Sequence, residues 1–161
     1  MLMFSVPFHA LGLALGLAAG AVAPAQADSR GPVVPPLPKY TQECAACHMA
    51  YPPGLLPAAS WQRLMGALDK HYGTDASLDA ASVRELGAWL NANAGTYKRV
   101  SEAPPQDRIT QSAWFLRKHR PGEVPAEVWK RPAVGSPSHC VACHGGAAQG
   151  NFSEHDVRIP R

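Results

Sequence analysis

Two short stretches carry residues that could do chemistry as a set. Cys44-Ala45-Ala46-Cys47-His48 and Cys140-Val141-Ala142-Cys143-His144 share the pattern C-x-x-C-H. Two thiols three positions apart reach the two vinyl groups on one edge of a single haem. The histidine that follows is carried beneath the porphyrin, where its imidazole becomes an axial iron ligand. Cys44, Cys47, Cys140 and Cys143 are therefore expected to hold two covalently bound haem c groups, with His48 and His144 as proximal iron ligands. These are all four cysteines of the chain, so none is left for a disulfide.

Competing chemistries fit less well. A lone C-x-x-C also serves thiol–disulfide exchange or half of a zinc site. Here 92 residues lie between Cys47 and Cys140, far beyond a zinc-ribbon gap. Neither alternative needs a histidine after each pair.

The far side of each iron decides what the haem does, since electron-transfer haems take methionine or histidine there. Methionine is scarce. Met1 and Met3 fall in the leader described below, and Met49 adjoins His48. That leaves Met65, on an apolar helical stripe where core packing is its usual role. Histidine is better supplied: His71, His119, His139 and His155. His71 is the expected distal ligand of the first haem, with Met65 as the alternative. His119 is expected for the second, with His155 as the alternative in a polar tail. His139 directly precedes Cys140 and is poorly placed to cross the porphyrin. Two imidazoles per iron leave no vacant position, favour electron transfer over chemistry and give low potentials. The competing reading is a haem enzyme or gas binder, peroxidase-like, with one open coordination position.

The elements that must position these residues are helical. Ala10 to Ala23 is an unbroken run of Ala, Gly, Leu and Val, too short to span a bilayer, and Ala25-Gln26-Ala27 forms a cleavage site. Residues 1–27 are expected to be a signal peptide and the mature protein periplasmic, which suits thioether formation. An uncleaved anchor is the alternative. Pro32, Pro35, Pro36 and Pro38 predict an extended arm over residues 28–41. A short helix is expected at 41–50. A longer one is expected at 58–72, N-capped by Ser60, with Trp61, Leu64, Met65, Leu68 and Tyr72 on one face. Another should run over 79–94, with Val83, Leu86, Trp89 and Leu90 inward and Gly95 as its stop. Ser101 to Pro105 reads as a linker. Beyond it a helix is predicted over 107–119, with Ile109, Ala113 and Leu116 inward and His119 one turn past Leu116. No strand is predicted, and 16 prolines imply much irregular backbone. The expected fold is mainly α: two small haem-binding helical lobes, 28–100 and 101–161, with long proline-rich connections.

The formal net charge of +3 does not point to nucleic acid. Lys98, Arg99, Arg117, Lys118, Arg120, Lys130 and Arg131 gather late in the chain. They read as a solvated face, as partners for haem propionates, or as a docking patch for an acidic redox partner.

Four stretches carry a resemblance over nearly the whole mature chain. They are Glu43 to Pro57, with CHMAYPPGLLP; Ser60-Trp61 to His71-Tyr72-Gly73; Trp114-Phe115 to His119-Arg120; and Cys140 to Val157-Arg158-Ile159-Pro160. The sequence resembles the soluble diheme cytochromes c of purple and related proteobacteria. The resemblance implies two bis-histidine haems, an N-terminal lobe similar to class I cytochromes c, and electron delivery; the chain is expected to be a monomer. It further implies a small oxygen-binding monohaem cytochrome as acceptor and a membrane b-type cytochrome as donor. Cys44, Cys47, His48, Cys140, Cys143 and His144 carry over directly, and His71 and His119 through their surrounding motifs.

Overall fold

The computed structural model describes residues 34–161. The expected signal peptide and Pro32 of the arm lie outside the described residues. Four α-helices are present: α1 (Pro38–Cys44), α2 (Ala58–Met65), α3 (Ala80–Ala92) and α4 (Ala113–Lys118). Between and after them run irregular loops and nine short 3-10 helices among the described residues. No strand occurs among them; two isolated bridges join His71 to Thr74 and His144 to Val157. No described helix is long and apolar enough to cross a membrane.

The arm is shorter than predicted. Pro38 opens α1 instead of forbidding it, because the first turn of a helix has no use for the N–H that proline lacks. The helix therefore leads into the first motif and does not follow from it.

The predicted 58–72 helix is two pieces. α2 ends at Gly66, whose N–H donates to Gln62 O at 3.0 Å. A 3-10 turn, Leu68–Lys70, follows. Tyr72 (φ 53°) and Gly73 (φ 96°) then turn the chain in the left-handed region, leaving Tyr72 42% exposed and off the apolar stripe. Ser60 does not cap α2; Pro57 holds that position and Ser60 is buried inside the first turn.

α3 is close to its expected span. The Asp79 carboxylate accepts from the Ala81 and Ser82 N–H groups, which satisfies donors that a helix start otherwise leaves orphaned. Leu86 and Leu90 are sealed in a cluster with Tyr40, Leu56 and Trp61, against which Leu64, Met65, Trp89 and Ile109 pack. Full burial of one such leucine stabilises by about 1.5–3 kcal/mol. The loop over this cluster is bolted down by Trp61 Nε1–H to Pro53 O, Tyr97 O–H to Gly54 O and Gly95 N–H to Leu56 O, each 2.8 Å. Gly95 is not simply a helix stop. A Cβ there would lie 2.5 Å from Gly54 O, so only glycine allows this approach.

The predicted 107–119 helix is also broken. Two 3-10 turns, Pro105–Asp107 and Ile109–Gln111, precede α4, which Ser112 caps by accepting from Phe115 N–H at 3.3 Å. The new start resets the helical phase. Phe115 is the buried residue and Leu116 is 53% exposed, so Ala113 and Leu116 of the predicted inward face point outward, while Ile109 keeps its inward place. The tail is not solvated throughout. It returns to the second motif, where Arg158 N–H donates to Cys143 O at 2.9 Å and Arg131 to Pro160 O at 2.5 Å.

Candidate haem sites

The first motif leaves α1 at Cys44 and turns so that His48 is exposed while Cys44 is half-buried. Burial, with Glu43 adding to it, pushes the Cys44 thiol up to about 11. The 3-10 turn after α2 brings His71 opposite. The His48 and His71 rings are 6.1 Å apart, centre to centre, and inclined by 28°. Tyr51 stacks on the outer side of His48 at 4.8 Å, and Tyr72 stands edge-on to His71 at 4.9 Å. His48 Nδ1 is 2.7 Å from Met49 O. With the proton on Nδ1, this bond leaves Nε2 as the lone-pair nitrogen.

At the second motif Cys140–Ala142 form a 3-10 turn, and His144 pairs with Val157. α4 delivers His119 at its C-cap. Its ring lies 4.0 Å from Phe115, nearly parallel at 16°, so it belongs to the face of Phe115 and not to that of Leu116. Its Nδ1 is 3.0 Å from Phe115 O. The His119 and His144 rings are 6.2 Å apart and inclined by 69°. Trp129 approaches His119 at 5.9 Å and Phe152 approaches His144 at 5.4 Å. Burial lowers the proton affinity of His119; burial, then the facing histidine, lowers that of His71 and His144. Each shift favours the neutral imidazole, the form that ligates a metal.

The other candidates sit elsewhere. Met65 packs on the buried cluster, His139 places Nδ1 2.9 Å from Val134 O, and His155 is exposed. None of the four cysteines is paired in a disulfide. No group of three or more His, Cys, Asp or Glu side chains suited to a metal ion occurs among the described residues.

The donor geometry fits haem iron at both places. An imidazole nitrogen sits about 2 Å from a bound metal with its ring centre about 1 Å further out, so two trans imidazoles stand about 6 Å apart. Both histidine pairs have that separation, each flanked by a C-x-x-C pair and aromatic walls. The dihaem cytochrome c family model matches residues 40–152, a span that takes in both motifs and both histidine pairs. The chain belongs to the dihaem cytochrome c family. As a family member it carries two covalently bound haem c groups with iron.

Solved structures agree. The diheme cytochrome c of Shewanella baltica OS155 is 39% identical, with a TM-score of 0.68, over 79% of this chain and 95% of that one. Two structures of the Rhodobacter sphaeroides diheme cytochrome c are 44% and 42% identical. Their TM-scores are 0.64 and 0.66, each over 74% of this chain and 99% of that one. No curated protein sequence matches the chain.

Sequence reasoning missed the aromatic lining. Tyr51, Tyr72, Phe115 and Phe152 all touch an axial histidine candidate. Three of them were within reach: Tyr51 is three residues after His48, Tyr72 adjoins His71, and Phe115 is one helical turn before His119.

Proposed function

We propose that this dihaem cytochrome c is an exported, periplasmic electron carrier whose two haems are each closed by two histidines, His48 with His71 and His119 with His144. The observation that carries this reading is the equal separation of the two ring pairs, 6.1 and 6.2 Å. When bound, each haem supplies a one-electron iron couple. The protein's part is to fill both axial positions, exclude small ligands and hold the same donors in either oxidation state. Carbonyls at Met49 and Phe115 accept the Nδ1–H of one histidine in each pair. That makes the imidazole a better donor, favours ferric iron and lowers the potential. The cleavable leader supports export, and the two motif-bearing halves act as two lobes. The acceptor is a small oxygen-binding monohaem cytochrome and the donor a membrane b-type cytochrome. Both partners come from the sequence resemblance.

Carbon monoxide tests the reading. Reduced wild type should give almost no carbon monoxide difference spectrum, and a pyridine haemochrome should return two haems per chain. His71→Ala and His119→Ala should each open one haem to carbon monoxide, and His155→Ala should open none. A full-strength shift in wild type would instead support the open-position enzyme or gas binder.

A further inference from the structure

Tyr51 belongs to neither motif, yet it reaches both. On one side its ring stacks on His48, 4.8 Å away and inclined by 26°. On the other its hydroxyl donates to the Ser138 carbonyl at 2.8 Å, 87 residues further along the chain. That carbonyl also accepts from Cys140 N–H at 3.0 Å, and Cys140 Sγ lies 3.6 Å from it. One side chain thus spans from the proximal histidine of the first site to the first thioether cysteine of the second.

Both ends of this span are fixed. The Tyr51 carbonyl accepts from Tyr40 O–H at 2.8 Å, and Tyr40 is buried beside Trp89 at 4.9 Å. On the far side, Ser138 is set in a run of tight turns. Gly135 N–H donates to Arg131 O at 2.8 Å, Ser136 and Ser138 hydroxyls are 2.8 Å apart, and His139 Nδ1 meets Val134 O at 2.9 Å. A cavity of about 400 Å³ opens here, walled by Cys47, His48 and Tyr51 on one side and Val134, Ser138 and Val141 on the other. Across it the two motifs face each other, and the Tyr51 hydroxyl provides a direct tie between its walls.

We propose that Tyr51 is the positioning residue that couples the two haem sites, holding His48 and the Cys140 attachment point as one rigid unit so that electrons exchanged between the haems cross at this contact. The inference rests on the reading above, in which both haems are electron carriers. The exchange it serves is one electron leaving ferrous iron at one site and reducing ferric iron at the other. No bond forms or breaks and no proton moves. Tyr51 remains a neutral phenol throughout, in keeping with burial, which raises its hydroxyl above the ordinary range.

The test uses the intact holoprotein and two variants. Tyr51→Phe keeps the stacking ring and removes only the hydroxyl. Tyr51→Leu removes both. Exchange between the haems is read by nuclear magnetic resonance line broadening in the one-electron-reduced protein, and the ligand field at each iron by ferric electron paramagnetic resonance. Tyr51→Phe should retain two haems and the wild-type resonance signals while exchange between the haems slows. Tyr51→Leu should slow it further and also move the signal of the first site, because His48 loses its stacking partner. Unchanged exchange in Tyr51→Phe would overturn the proposal, and that variant stands even if Tyr51→Leu fails to fold. Failure of the underlying reading would look different. Wild type itself would then lack two low-spin signals or bind carbon monoxide.

Discussion

At the scale of single residues, the two histidine pairs share a separation and differ in orientation. The rings of His48 and His71 are inclined by 28°, those of His119 and His144 by 69°. The causes are local. Tyr51 and Tyr72 grip the first pair from its outer sides. Phe115 stacks on His119 while Phe152 leans on His144 at 58°. Nearly parallel imidazoles donate into the same one of two iron d orbitals and raise it above the other. Nearly perpendicular ones donate into both and leave them close in energy. The frozen ferric protein should therefore give two low-spin resonances, a rhombic one from the first site and a single high-g feature from the second. His71→Ala should remove the former and His119→Ala the latter. Two identical rhombic signals would count against this difference in ring orientation.

At the scale of elements, the short helices depend on their caps. α4 has six residues, too few to persist without tertiary help. Ser112 supplies one of its few fixed points, accepting from Phe115 N–H while donating to Ile109 O at 2.7 Å. Ser112→Ala should lower stability by about 1 kcal/mol, read from denaturant unfolding of the holoprotein. Amide exchange at Phe115 and His119 should quicken. The same element shows what a sequence displays and what it conceals. The motifs were legible because six residues in fixed order leave little freedom. α3 was legible because its periodicity runs unbroken from a capping aspartate across 13 residues. The neighbours of His71 and His119 were not. Gly66 and Ser112 each end one helical phase and start another, and an apolar stripe read through such a break assigns the wrong inward face. Single 3-10 turns have no period to read. That His71 and His119 nonetheless stand opposite the motif histidines was legible from scarcity: few side chains beyond the motifs can ligate iron.

At the scale of the whole molecule, side chains tie early and late segments together. Arg63 grips the Asp107 carboxylate through two nitrogens at 2.8 and 2.6 Å. Tyr72 O–H reaches Gln106 O and Asp107 O at 3.1 Å each, beneath the Arg108 guanidinium at 4.1 Å. Gln106 and Asp107 have φ of 55°, so with Tyr72 the three non-glycine residues of positive φ among the described residues meet at one point, beside His71. The tail makes a comparable closure at the second site. Val157 pairs with His144, Phe152 packs on it, and Lys118 meets Glu154 across the fold. Truncation after Gly150 should lower the thermal midpoint and make the second haem the more reactive toward carbon monoxide, with the first unaffected; a rate equal at both haems would sink this. The tail closure also sets an order for biogenesis. The segment that folds back onto Cys143 O follows the second motif in the chain and so emerges after it, while Cys44 becomes half-buried once α1 has packed. Attachment to all four sulfurs is easiest before either event. Because thioether formation is irreversible, maturation works as a ratchet. A chain that folded first would leave Cys44, Cys140 and Cys143 half-buried and harder to reach, and one that is loaded first gains, at each motif, the template on which the rest can settle.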